Sequence, residues 1–198
     1  MSQERGTGPV RKVILVTDGD RIAQEVIEQV AKEFGARCIS RSAGNPTPLT
    51  GEQLVHLIMK AKHDPVFVLF DDNGHKGSGA GEQALEYVAT HPNIRVLGAL
   101  AVASNTELVE GARVDLAVDG LGNITYSSVN KYGDVEAGEE LCIYGDTVGV
   151  LNRLNIPIIV GIGDIGKMNG KDHLYYGAPI TKKAVELILK RHGYLKKT

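Results

Sequence analysis

The 198-residue chain balances 22 Lys and Arg against 24 Asp and Glu, for a formal net charge of −2, so no global positive field draws it to nucleic acid. It has no Trp and only three Phe, which argues against base stacking, and its two cysteines, Cys38 and Cys142, are too few for a disulfide framework and fit a reducing compartment. No apolar run approaches the ~20 residues needed to span a bilayer, so any membrane association is expected to be peripheral.

Three apolar runs end abruptly in Gly and Asp: residues 13–20 (VILVTDGD), 66–74 (VFVLFDDNG) and 158–166 (IIVGIGDIG). Each reads as a strand buried on both faces, as parallel strands covered by helices require. After the first, Ile22, Val26, Val30 and Phe34 recur at helical spacing, and Gly35 suits the stop. A short strand at 37–40 and a Pro- and Gly-containing loop at 42–49 follow, then a capping box, Thr50-x-x-Gln53, opens a helix with Leu54, Leu57, Ile58 and Ala61 inside. The strand at 66–70 leads through a glycine-rich loop, residues 74–81 (GHKGSGAG), to a helix that stops near His91-Pro92.

A fourth strand is expected at 94–103, and segments 114–118 and 124–129 flank a Gly-rich turn that suits a hairpin. Residues 131–140 read as surface loop. Asp146 is placed to cap a short helix, and Thr181 to cap a last one carrying Ala184, Val185, Ile188 and Leu189. The order predicts a doubly wound, three-layer α/β domain over residues 12–194 with a mostly parallel sheet, Toprim-like or Rossmann-like, plus the hairpin, between a flexible segment at 1–11 and a tail at 195–198.

In such a sheet the binding crevice lies at the carboxyl ends of the strands. Asp18, Asp20, Asp71, Asp72 and Asp164 are therefore the expected ligand-binding carboxylates, with Gly77, Gly79 and Gly81 supplying backbone N–H groups to an anion. Asp18, Asp71 and Asp72 are the expected metal ligands, for Mg²⁺ or Ca²⁺, because hard cations prefer oxygen donors. Helix capping competes as an explanation for any one Asp. Gly161-x-Gly163-x-x-Gly166 follows a strand without a helix directly after it, which argues against a dinucleotide site. The basic ends (Arg11, Lys12, Lys190, Arg191, Lys196 and Lys197) read as solvated termini. No nucleophile elbow or Cys with a sequence-adjacent base stands out.

Residues 70–81 resemble the metal-binding turn of Toprim domains, with Asn73 where a second Asp is usual and Asp18 where a first-strand Glu is usual. At larger scale, VTDGD at 16–20, SAGNPT at 42–47, FDDNGHKGSGAGEQAL at 70–85, VASNT at 102–106, IPIIVGIGDIGKMNGKD at 156–172 and GAPIT at 177–181 together resemble the stage V sporulation protein AE family. The resemblance implies a soluble accessory of the spore apparatus that moves calcium dipicolinate and acts in germination, peripheral to the spore inner membrane beside membrane-embedded partners. It implies no catalytic residues. A divalent-metal-dependent phosphoryl-transfer enzyme with a degenerate Toprim-like site is the alternative expectation.

Overall fold

The computed structural model describes residues 9–74, 78–105, 111–136 and 140–195. Most of the expected flexible N-terminal segment, the end of the tail, and Gly77, His75, Lys196 and Lys197 lie outside them. In chain order the elements are β1 (Arg11–Val16), α1 (Arg21–Glu33), β2 (Arg37–Cys38), α2 (Gly51–Met59), β3 (Val66–Leu69), α3 (Ala80–Thr90), β4 (Ile94–Val102), β5 (Ala112–Arg113), β6 (Leu116–Val118), β7 (Ile124–Thr125), β8 (Ser128–Val129), β9 (Val135–Glu136), β10 (Cys142–Ile143), β11 (Ile159–Ile162) and α4 (Pro179–Arg191).

Seven strands form one sheet in the order β2-β3-β1-β4-β11-β6-β7, parallel except for the antiparallel β6–β7 pair. The expected hairpin is present, but only Ala117 and Val118 pair with Thr125 and Ile124. Ser128 and Val129 turn away to pair with β9, inside the stretch expected to be loop.

The unbroken apolar runs are explained by two cores. Val13 and Leu15 of β1 and Val66 and Val68 of β3 face α2 and α3, while Ile14, Val16, Phe67 and Leu69 face α1 and α4. Side chains alternate across a strand, so a strand buried on both faces needs apolar residues at every position. Full burial of one Leu or Ile contributes roughly 1.5–3 kcal/mol. In α1 the interior positions are Ala23, Val26, Ile27, Val30 and Ala31, whereas Ile22 at the first turn stays 44% exposed.

Three cap expectations meet the structure differently. Thr50 and Gln53 form the full reciprocal capping box of α2. Asp146 does not cap the short 3-10 helix at Gly149–Arg153, which has no side-chain cap; its carboxylate accepts instead from the Gly74 N–H. Thr181 is not the cap of α4 either. The helix begins earlier, at Pro179, and Asp172 accepts from the Ile180 and Thr181 N–H groups.

One irregularity lies in β4. Its register against β1 shifts between Val13 and Ile14, so that Leu97 is an extra residue between Val96 and Gly98. The Leu97 carbonyl accepts a bond of 2.6 Å from the His192 ring, which follows α4. A bulged residue loses its ladder partner, and His192 supplies a replacement.

Candidate functional site

Parallel β1, β3, β4 and β11 end on one side of the sheet, and their following loops enclose a cleft of about 470 Å³. Asp18, Asp20, Asp71, Asp146 and Asp164 line it with Lys131, Lys167, Thr17, Asn45 and Asn73. Sequence reasoning singled out four of these five carboxylates as ligands. Asp146 it read as a cap, and Lys131 and Lys167 it did not single out.

The turn after β1 is held in place from two sides. Asp20 is the N-cap of α1 and accepts from Ala23 N at 2.8 Å, and Asp18 accepts from Asp20 N at 3.2 Å. Gly19 donates to Asp71 Oδ2 at 3.2 Å and its carbonyl accepts from Gly44 N at 2.8 Å. A Cβ on Gly19 would lie 2.6 Å from the Gly44 oxygen, so this crossing requires glycine. The 42–47 loop also braces the second acidic turn, since Thr47 Oγ1 accepts from Asp71 N at 2.8 Å and Ser42 Oγ accepts from Leu69 N at 2.9 Å.

The carboxylates that converge most closely are Asp18, Asp20 and Asp164, each offering an oxygen within 4.8 Å of the others. Asp71 shares their cleft, with its two oxygens accepting from Gly19 and Asn73. Asp72 points away. Its Oδ1 accepts from Gly81 N at 2.6 Å and its Oδ2 from Glu82 N at 2.9 Å, which caps α3 from a distance because the N-cap residue, Gly79, has no side chain. Gly79 and Gly81 serve this contact. An added Cβ would lie 2.2 Å from Asp72 Oδ1 in the first case and 2.4 Å from the Asp71 carbonyl oxygen in the second.

Lys167 joins the cluster from the loop after β11. Its Nζ donates to Asp20 Oδ2 at 2.6 Å and to Asp164 Oδ1 at 2.8 Å. Burial pulls the Lys167 pKa down, but the bonds to Asp164 and Asp20 outweigh it and the net shift is upward, so the ammonium is charged. The sequence signal was its place three residues after Asp164, although nothing local shows that Asp20 comes within reach.

Burial, followed by the charge of Asp20, pushes Asp18 up to about 8. Desolvation likewise pushes Asp71 up to about 6 and raises Asp164, where Lys167 opposes it. The cleft thus combines hard oxygen donors, one carboxyl that holds its proton near neutrality, and an ammonium already bound to two carboxylates. Three oxygens this close can share one cation, since an ion about 2.4 Å from each, a Ca²⁺ distance, spans at most about 4.8 Å between them. At the shorter Mg²⁺ distance of about 2.1 Å the trio would have to draw in.

The family model described as Stage V sporulation protein AE1 matches residues 12–192. The chain belongs to that family. The stage V sporulation protein AE1 match spans all the cleft residues named above, and with it a sporulation-related role is established. No curated protein and no solved structure matches the chain. Among the described residues, no helix is long and apolar enough to cross a membrane.

Proposed function

We propose that this protein is a non-catalytic accessory of the spore membrane apparatus that moves calcium dipicolinate, peripheral to the inner membrane, and that its acidic cleft binds a divalent cation or a cation-bridged anionic ligand. The observation that carries the ligand reading is the convergence of Asp18, Asp20 and Asp164 around Lys167. All-oxygen donors favour Ca²⁺ or Mg²⁺ over softer metals. An arriving cation would compete with Lys167 for Asp20 and Asp164. Once released, the ammonium is free to meet a carboxylate or phosphate carried in with the cation.

Titration calorimetry with Ca²⁺ and Mg²⁺, each with and without dipicolinate, tests this. Saturable Ca²⁺ heat that is lost in Asp164→Asn and retained in Asp72→Asn supports the reading. Absence of heat for both cations leaves the carboxylates as turn and cap residues only.

Asp71 favours a second reading, metal-dependent phosphoryl transfer, because a carboxyl at about 6 beside a cation site is matched to proton transfer near neutrality. Metal-dependent phosphatase turnover abolished by Asp71→Asn, with the fold intact by circular dichroism, would establish that reading over the first.

A further inference from the structure

The opposite edge of the sheet, where the parallel strands begin and α1 and α2 end, carries the opposite charge. Lys32 in the last turn of α1, Arg37 on β2, and Lys60 and Lys62 after α2 are all exposed. Arg37, Lys60 and Lys62 line a hollow of about 420 Å³ with Arg41 and His63. Lys32, Arg37 and His63 line a neighbouring hollow of about 440 Å³, where Glu28 is the one carboxylate among the described residues. The two share Arg37, Cys38, Ser40 and His63 and so form one continuous basic shelf along edge strand β2.

Helix dipoles explain part of this placement, since cations are stabilising at helix C-termini, as at Lys32 and Lys60. They do not explain Arg37, Arg41 or Lys62. Among the described residues none of these five cations forms an ion pair, while the carboxylates of Glu33 and Asp64 are already held by Lys182 and Arg11. In a chain of net charge −2, this leaves a local positive field on one edge.

We propose that this shelf docks on the anionic headgroups of a phospholipid bilayer and holds the acidic cleft on the side away from the membrane. The proposal rests on the peripheral-membrane reading above and adds the surface that makes the contact. Other anionic partners fit less well. Among the described residues neither hollow is lined by a Phe, Tyr or Trp on which a nucleic-acid base could stack, and His63 is the one ring in either. An acidic peptide adding as a strand would find only Arg37 and Cys38 in regular edge geometry. Among the described residues none of the exposed large apolar side chains lines the shelf, so attachment is by charge, without insertion, and is screened by salt.

The test is co-sedimentation of the full chain with vesicles of phosphatidylglycerol and phosphatidylcholine, and with vesicles of phosphatidylcholine alone. Binding is expected only to the anionic vesicles and is expected to be lost at 0.5 M salt, about a 4 Å screening length. Each cation near an anionic surface contributes about a fivefold affinity factor, so Arg37→Gln/Lys60→Gln/Lys62→Gln should weaken binding on the order of 100-fold. An equal charge change at Arg21, Lys171 and Arg153, which pair with carboxylates elsewhere, should weaken it much less. Wild-type protein that ignores anionic vesicles would overturn the membrane reading together with this one. Wild-type binding that survives in the shelf variant would overturn the shelf alone, and salt-resistant binding would replace charge with insertion. Selective capture by polyglutamate, with none by vesicles, would assign the shelf to an acidic protein and also overturn the proposal.

Discussion

Two acidic turns at the same end of the sheet use the same residue type to opposite ends. After β3, the oxygens of Asp71 and Asp72 accept backbone N–H groups, and Asp72 is wholly engaged by the start of α3. After β1 and β11, Asp18, Asp20 and Asp164 face one another and a lysine. The difference follows from what surrounds each carboxylate. Where a helix begins without a side-chain cap, the nearest Asp fills that role. Where α1 is already capped by Asp20 Oδ1, the remaining oxygens are left to face the cleft. Asp172 belongs with the first group, accepting from Gly166 N, Ile180 N, Thr181 N and Thr181 Oγ1 while fully buried.

The largest effect that sharpens this contrast is on stability. Asp172→Ala removes four buried bonds and is expected to destabilise by about 4 kcal/mol, since each orphaned donor costs about 1–3 kcal/mol. Asp72→Ala, with two donors orphaned, is expected to lose about 2–3 kcal/mol. Urea unfolding of both measures this, and a loss below about 0.5 kcal/mol in either would remove the distinction between supporting and cleft carboxylates.

The second effect is a pH dependence centred on the cleft. Asp18 has its folded pKa raised to about 8, above the unfolded value, so its stabilising contribution is complete below about pH 4 and is lost as pH rises through about 8. Asp71 acts in the same sense up to about pH 6. In chelator, the wild type should therefore lose stability between pH 5 and 8, and Asp18→Asn should flatten that fall and exceed the wild type by about 2 kcal/mol at pH 8.5. Thermal unfolding with parallel slopes in the two proteins would show that Asp18 ionises without penalty.

The smallest stability effect, and the most direct test of competition, is at Lys167. Its partners are about a third exposed, so Lys167→Gln should change stability by less than about 1 kcal/mol. Removing the competing ammonium should still strengthen Ca²⁺ binding several-fold by calorimetry. Loss of Ca²⁺ binding would instead make Lys167 part of the cation site's scaffold.

The order of strands and helices was legible because both-face burial leaves unbroken apolar runs, as at residues 13–16 and 66–69. The acidic edge was legible for the same reason, since parallel strands must end together. What could not be read was which carboxylate turns inward. Asp71 and Asp72 are neighbours in sequence, yet only Asp71 lines the cleft, because the N–H groups that engage Asp72 come from Gly81 and Glu82, across a loop. Lys167 and Asp20 are likewise 147 positions apart. The caps failed in a similar way: Asp146 and Thr181 sit where local rules place a cap, but Gly74 and Asp172 meet them through tertiary contacts.

The bulge in β4 carries a consequence for how this chain tolerates insertions and deletions. Below Leu97, Ile94 and Val96 face α2 and α3; above it, Ala99 and Ala101 face that side, while Leu100 and Val102 face α1 and α4. The single extra residue thus moves even-numbered positions from one layer to the other halfway along the strand. Deleting Leu97 would make the strand regular: Val96 and Gly98 already face the consecutive residues Val13 and Ile14, so Ile94, Val96, Ala99 and Ala101 would stay in one layer and Leu100 and Val102 in the other. A one-residue deletion at this point of β4 is therefore expected to be absorbed by loss of the bulge, and the contact it removes is the bond from His192 to the bulged carbonyl, which ties the bulge to the end of α4.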